Sequence, residues 1–224
     1  MGSAIASLLP LIVGAAVVPI WIIIALLLLS NKSGLLKAAA FAGGAIVVRL
    51  AQGIVFGYIF RSDPAASSDE GASLIVSTLL LVIGILMLIT AFKQWQKEDD
   101  PDAPPPKWMA MLGGLSPLKA LGMGALLVAI AAKQWVFTLS AIGVIGEAQL
   151  DPPASVGLFL FYVLAAQSLV LIPIVVYAVA PTRSTKTLET ARLWLEEHNR
   201  IIMIAVSLVF GLFFLFKGIT GLTG

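Results

Sequence analysis

Six apolar runs, each long enough to cross a lipid bilayer as a helix, constrain the fold of this chain more than any other feature. About 20 apolar residues cross the hydrocarbon core of a bilayer. None of the runs alternates in the way that the ten-residue strands of a membrane β-barrel would require. We therefore predict an all-α integral membrane protein with six transmembrane helices. The runs cover residues 5–29, 37–60, 72–94, 118–146, 154–180 and 199–220.

The composition supports this class and excludes several others. Of the residues, 59% are hydrophobic and 12% are charged, whereas about a quarter of the residues in soluble domains are charged. The chain contains no cysteine, which excludes disulfides, thiolate catalysis and cysteine-based metal sites. Basic residues are scattered, so we expect membrane lipids and no nucleic acid as partners. No HExxH, GxSxG or Walker A motif is present, and we predict neither an enzyme nor a cofactor.

Lysine and arginine are unevenly distributed between the two sides of the predicted bundle. Ten lie at the first, third and fifth connections between spans, whereas Arg61 and Lys217 alone lie on the other side. Cytoplasmic loops carry the excess of basic residues, so we predict that both termini lie outside the cytoplasm. The ten are Lys32, Lys37, Lys93, Lys97, Lys107, Lys119, Arg183, Lys186, Arg192 and Arg200.

The longest connection divides the chain into two halves of three spans each. Residues 1–94 form the first predicted repeat, residues 95–117 an acidic and proline-rich linker, and residues 118–224 the second repeat. An odd number of spans gives the halves opposite orientations, which is the arrangement of the inverted repeats in many secondary transporters. Short matches support it, such as Pro19-Ile20-Trp21 with Lys133-Gln134-Trp135. Residues 184–197 are predicted to form a separate amphipathic helix on the inner leaflet.

Two cations, Arg49 and Lys133, lie near the middle of the second and fourth spans, whereas no acidic residue lies deep in any span. A charge at the bilayer centre costs about 3 kcal/mol on insertion scales. Ionisable residues at this depth usually have a function, so we predict that both cations bind an anionic group. The alternative is a structural role in which carbonyl groups at helix ends satisfy them.

Prolines and amides at similar depth complete the predicted substrate site. Pro19 removes a backbone donor from the first span and should free the carbonyl of Ala15, and Pro173 should break the fifth span near Leu169 in the same way. Broken helices often bind substrate in transporters. We therefore predict a substrate site with no metal, formed by Pro19, Arg49, Gln52, Lys133, Gln134 and Gln167.

Two further motifs have simpler interpretations. Gly53 and Gly57 form a GxxxG pattern, which predicts close helix packing within the bundle, with a homodimer interface as the alternative. His198 follows Glu196 and Glu197, and this charged run is typical of a solvated surface.

Several short runs resemble a known family. Val18-Pro19-Ile20, followed by residues 25–30, is similar to the first helix of the GAP family, the sulfolipid- or glycopeptidolipid-addressing proteins of the lysine-exporter superfamily. Residues 38–44 resemble the family's second helix, and residues 116–126 the start of its fourth. The family has an Asn-Pro-Lys turn in the fourth helix, where this chain has Ala131-Ala132-Lys133. This difference leaves open whether that helix is broken.

The resemblance implies a transporter of the bacterial inner membrane that exports a lipid-like or amino-acid-like substrate. Together with the two intramembrane cations, it favours an anionic or amphiphilic small substrate. One alternative is an accessory subunit of a lipid export system that moves no substrate itself. Another is an exporter of ions such as divalent cations, which is disfavoured because such ions need oxygen ligands that the spans lack.

Overall fold

The structure, a computed structural model, describes residues 2–62, 69–97, 109, 111–112 and 114–223. Most of the predicted linker, residues 98–108, lies outside this part of the chain. The described residues form nine helices with defined ends and contain no strand. These are α1 (Gly2–Ala16), α2 (Pro19–Leu29), α3 (Gly34–Ser62), α4 (Asp69–Gln96), α5 (Pro117–Ile130), α6 (Ala132–Glu147), α7 (Pro152–Ala166), α8 (Ser168–Val179) and α9 (Pro181–Thr223).

Three of these helices, α3, α4 and α9, are each long and apolar enough to cross a membrane. The remaining six form three bent pairs, α1 with α2, α5 with α6, and α7 with α8, at angles of 58°, 74° and 70°. If each bent pair is one broken span, the described residues contain up to six spans, in agreement with the number predicted from the sequence.

The first break follows from proline, as predicted. Pro19 is the first residue of α2, and Val18 before it is extended, because a residue that precedes proline avoids the helical conformation. The backbone N–H of Val18 donates to the carbonyl of Ala16 at 2.9 Å. The chain therefore bends sharply between α1 and α2 without leaving that carbonyl unpaired.

The second break lies at Ala131 and answers the question that the sequence left open. Ala131 is extended, with φ −81° and ψ 94°, and it separates α5 from α6. The indole Nε1–H of Trp135 donates to the carbonyl of Ala129 at 2.7 Å. A side chain beyond the break thus satisfies a carbonyl that the end of α5 would otherwise leave free.

The third break lies close to its predicted position. The fifth span breaks at Gln167, two residues before Leu169, and Pro173 lies inside α8. The backbone N–H of Gln167 donates to the carbonyls of both Val163 and Leu164, as at a tightened last helical turn. The bend therefore occurs before the proline's own turn begins.

The breaks separate two apolar cores. The first core contains buried residues of α1, α6 and α7, such as Leu8, Phe137 and Tyr162. The second contains buried residues of α2, α5 and α8, such as Trp21 and Val128. The two members of each bent pair thus belong to different cores. The middle of α3 lies where the two cores meet, since Ile46 and Leu50 pack against the first core and Val48 packs against the second.

Glycines allow the helices to approach closely. A Cβ on Gly84 of α4 would lie 2.6 Å from the backbone nitrogen of Leu215 in α9, and a Cβ on Gly211 would lie 2.9 Å from Leu88. Gly218 faces Leu81 in the same way. In these pairs the residue number on α9 rises as the residue number on α4 falls. The two helices are therefore antiparallel. An axis relating the third span to the sixth would produce such reciprocal contacts, but the inverted repeat stays a prediction.

The prediction of a separate surface helix over residues 184–197 is wrong. This segment is the first part of α9, which continues without a break to Thr223. Leu188 and Leu195 pack against the second core, so the segment contacts the bundle. Arg192 bridges Glu189 and Glu196 on the same helix, and such i,i+3 and i,i+4 pairs help a helix to continue through a polar stretch.

Candidate functional site

Arg49, in the middle of α3, is fully buried, with 0% of its surface exposed. Its Nη2 donates to Oε1 of Gln134 at 2.6 Å. Its other two nitrogens, Nε and Nη1, have no hydrogen-bond partner among the described residues. A buried donor without a partner costs about 1–3 kcal/mol, and more when it is charged. The guanidinium therefore has strong, unused capacity to bind an acceptor.

Gln134 connects this cation to the first break. Its Oε1 accepts from Arg49, and its Nε2 donates to the carbonyl of Ala15 at 3.4 Å. Ala15 is the carbonyl that Pro19 was predicted to free. One glutamine of α6 thus joins the middle of α3 to the end of α1, close to where α2 begins.

Further buried polar groups of the bundle have unpaired atoms. Both amide atoms of Gln52, Nε2 of Gln167 and the hydroxyls of Ser140 and Tyr162 have no hydrogen-bond partner among the described residues. All four side chains are at most 5% exposed. Such unpaired groups are uncommon in a folded protein. Gln52 lies one turn after Arg49 on α3, and Tyr162 lies near Arg49, so the surroundings of Arg49 are a candidate site for a polar ligand.

Tyr162 and Thr138, together with Arg49, Gln52 and Gln134, form a polar cluster, and these two members were missed by the sequence analysis, as was the buried Ser140. The Tyr162 hydroxyl lies near Arg49 and Thr138 without meeting hydrogen-bond geometry with either. Thr138 lies one helical turn after Gln134 and donates to its carbonyl at 2.9 Å. The i,i+4 spacing of Gln134 and Thr138 places both on one face of α6, and this spacing was the available signal.

Lys133 and Pro19 occupy different surroundings from Arg49. Lys133 is half-buried in the first turn of α6, and no hydrogen bond or ion pair to it is found within the described ranges. Helix N-termini carry partial positive charge and favour anions. The charge of this lysine therefore adds to the positive potential of the N-terminus of α6. Pro19 is buried at the start of α2 and shapes the break. Among the predicted residues, the structure joins Arg49 directly to Gln134 alone.

The electrostatics of the region favour an anion. The sequence has no acidic residue between residues 1 and 62, 103 and 146, or 152 and 188. These ranges include α1, α2, α3, α5, α7 and α8, as well as α6 up to its last residue, Glu147. No group of histidine, aspartate or glutamate that could hold a metal ion occurs in the described part of the chain. A sulfate, phosphate or carboxylate group could accept hydrogen bonds from two guanidinium nitrogens at once.

An apolar cavity of about 640 Å³ lies beside this polar cluster, between α3, α6 and α7. Leu50 and Gly53, which line it, flank the buried Arg49 and Gln52 in the sequence of α3. Phe159 also lines it and stacks on Tyr162, with ring centroids 6.1 Å apart. Gly53, half of the GxxxG pattern, therefore packs against Phe159 inside the bundle.

Comparison with known proteins gives one result. The model of a family described as Sap, sulfolipid-1-addressing protein, matches residues 8–220. No curated protein and no solved structure matches the chain.

Proposed function

Because the chain belongs to the sulfolipid-1-addressing protein family, we propose that it is a secondary transporter that exports an anionic or zwitterionic amphiphile across the bacterial inner membrane. The family description concerns the addressing of a lipid, which an apolar, membrane-embedded chain could perform by moving the lipid's polar headgroup through the bilayer. The headgroup would bind at Arg49, and its passage would involve movements at the three helix breaks.

The observation that carries this proposal is the state of Arg49. A fully buried guanidinium with two unpaired nitrogens lowers the stability of the fold. A purely structural cation would be expected to have its donors satisfied by carbonyl groups. An anion that accepts from one of these nitrogens would offset the desolvation cost and would be held by charge-assisted hydrogen bonds.

The position of the cluster supports movement of the ligand and not only its storage. Broken helices with polar groups at mid-membrane depth are common at the substrate sites of secondary transporters. Here α1, α6 and α7 lie in one core, and α2, α5 and α8 in the other. Rocking one core against the other would change access to Arg49 by rotations at Val17–Val18, Ala131 and Gln167.

A divalent cation is a poor candidate for the substrate. Arg49 would repel it, and a site for such an ion needs several oxygen ligands, usually carboxylates. An accessory subunit that moves no substrate remains the second candidate, because the family description does not say which protein performs the movement.

The test is lipid movement by the purified protein alone. We would reconstitute it in phosphatidylcholine vesicles containing a trace of phosphatidic acid with a fluorophore on its acyl chain, with and without a pH gradient. Quenching by an impermeant reductant then reports the movement of the probe between leaflets. We expect the protein to accelerate this movement. Arg49→Met should lower the rate at least tenfold, which corresponds to a loss of about 1.4 kcal/mol or more of interaction free energy.

Lys119→Met is the matched control, because Lys119 is an exposed cation in the first turn of α5. It should move the probe at the wild-type rate. If wild-type protein leaves the probe at the rate of empty vesicles, the accessory function is favoured. If Arg49→Met is as active as wild type, the anion site at Arg49 is wrong.

A further inference from the structure

The cavity between α3, α6 and α7 has the size of a ligand site. Its volume of about 640 Å³ falls in the range of roughly 300–1,000 Å³ that is typical of small-molecule pockets. The polar cluster does not need this space, because a sulfate or phosphate group is much smaller. The cavity therefore calls for an explanation separate from the headgroup site.

Glycines make the space. Gly53, Gly57, Gly143 and Gly146 all line the cavity. A Cβ on Gly57 or Gly146 would meet no atom within 4 Å, so these positions border open volume and do not serve close helix packing. Glycine is unfavourable inside a helix by about 1 kcal/mol relative to alanine, which makes its repeated use in these walls a cost to the fold.

Two helices lead from the polar cluster into the cavity. Residues four apart share a helix face, so Arg49, Gly53 and Gly57 form one row on α3, about 12 Å long. Gln134, Thr138, Ile142 and Gly146 form a parallel row on α6. Each row begins with polar side chains at the level of the breaks and ends with glycine at the cavity wall.

The outer end of the cavity faces the surroundings of the bundle. Ile54, Tyr58 and Val156 line it and are exposed by 74%, 74% and 60%. Large apolar side chains with this exposure lie against lipid in a membrane-spanning helix. An apolar chain could therefore enter the cavity from the bilayer without passing through water.

Phe159 separates the two regions. A Cβ on Gly53 would lie 2.1 Å from its ring, so the ring rests on the backbone of α3 at the middle of the glycine row. The same ring stacks on Tyr162 of the polar cluster at an interplanar angle of 29°. The ring thus stands where a headgroup and an apolar chain would meet.

We infer that this cavity binds one acyl chain of the amphiphile while its anionic headgroup occupies the Arg49 cluster, with Phe159 at the junction. The inference rests on the proposed function for the headgroup and adds a separate site for the chain. An acyl chain suits the cavity because its walls are mostly apolar, its outer rim carries exposed apolar side chains, and Leu50 and Gly53 at its inner end flank the buried Arg49 and Gln52 in the sequence of α3. A soluble anion would leave the apolar volume unused.

The experiment uses a palmitic acid analogue with a diazirine near its methyl end, added to the full-length protein in nanodiscs. The carboxylate should bind at Arg49, and light should attach the chain to cavity residues in ranges 53–58 and 142–146, identified by peptide mass spectrometry. Gly57→Leu fills the cavity from α3 and should lower labelling of residues 142–146 about tenfold, equivalent to about 1.4 kcal/mol of lost affinity.

Gly43→Leu is the matched control. Gly43 lies on α3 with similar partial exposure, has open space around its Cβ and does not line the cavity. It should label like wild type. Gly146→Leu fills the cavity from α6 and should lower labelling of residues 53–58, which keeps the test valid if Gly57→Leu folds poorly. Thermal unfolding of each variant confirms folding.

The outcomes separate the two proposals. No labelling of the cavity in wild type, or labelling that the folded Gly57→Leu and Gly146→Leu variants leave unchanged, would overturn the chain site, whereas lipid movement that depends on Arg49 would stand. Cavity labelling that survives Arg49→Met but is lost in Gly57→Leu would support the chain site and contradict headgroup binding at Arg49.

Discussion

At the scale of single residues, the contact between Arg49 and Gln134 holds a positive charge in the region without neutralising it. Gln134 provides a neutral oxygen 2.6 Å from Nη2, so the positive charge of Arg49 is held in place without being neutralised. Glutamate has the same shape as glutamine and would add a counter-ion at the same position. This makes Gln134 a suitable position at which to change the charge without removing the cation.

We expect Gln134→Glu to raise the melting temperature of the detergent-solubilised protein and to weaken binding of anionic amphiphiles. The carboxylate would form a buried ion pair with Arg49 and relieve its desolvation, although the donor to Ala15 is lost. Thermal unfolding with and without added phosphatidic acid measures both effects. Gln134→Leu, which removes the acceptor and adds no charge, should melt at a lower temperature than wild type. A Gln134→Glu protein that phosphatidic acid stabilises as well as it does wild type would contradict the assignment.

The sequence could identify polar residues at mid-span depth but not their partners. Arg49, Gln52, Gln134 and Gln167 were found because a polar group in an apolar run is costly, and all four are buried. Whether they meet depends on the angles of the breaks, which involve contacts between distant residues. Tyr162 escaped notice because a tyrosine in an apolar span is ordinary until a buried cation lies beside it.

At the scale of helices, the crossing of α3 and α5 depends on two glycines. A Cβ on Gly124 would lie 1.9 Å from the carbonyl oxygen of Phe41, and a Cβ on Gly44 would lie 2.0 Å from that of Leu121. The backbones of the two helices therefore touch. This contact fixes α5 against the N-terminal half of α3 and leaves α6 as the member of the pair that reaches Arg49.

We expect Gly124→Ala to destabilise the protein by at least 1–3 kcal/mol, the usual cost of overpacking. Gly122→Ala, on the same helix with nothing within 4 Å of its Cβ, should be neutral or stabilising by up to about 1 kcal/mol through helix propensity. Chemical or thermal unfolding in detergent compares them. Equal stability of the two variants would mean that α3 and α5 do not approach as closely as described.

Local signals predicted some helix ends and failed at others for physical reasons. Proline marks the break before α2, since it has no N–H and restricts the preceding residue. Alanine is the best helix former, so nothing local marks Ala131; its break depends on Trp135 reaching back to Ala129. The polar segment at residues 184–197 looked like a separate helix, but ion pairs at Arg192 and packing of Leu188 carry α9 through it.

At the scale of the whole molecule, orientation decides which core faces the cytoplasm. The distribution of basic residues predicts that both termini lie outside, which the fold alone does not test. The chain has no cysteine, so single cysteines can be introduced without background. Gly2→Cys and Thr223→Cys should react with an impermeant maleimide in intact spheroplasts, and Lys32→Cys only after permeabilisation. The reverse labelling pattern would invert the orientation and with it the direction of the proposed export.

The uncompensated charge of Arg49 also has an electrical consequence. A site that carries one positive charge when empty becomes neutral when it holds a singly charged anion. Moving one charge through a membrane potential of 100 mV changes the free energy by about 2.3 kcal/mol. In an exporter the loaded outward step would then be insensitive to voltage, whereas the return of the empty site toward a negative interior would be accelerated by it. Potassium diffusion potentials across the vesicles should therefore speed the return of the empty site in the wild-type protein. In Gln134→Glu the empty site is neutral and the loaded site is negative, so the potential should act on the loaded outward step instead.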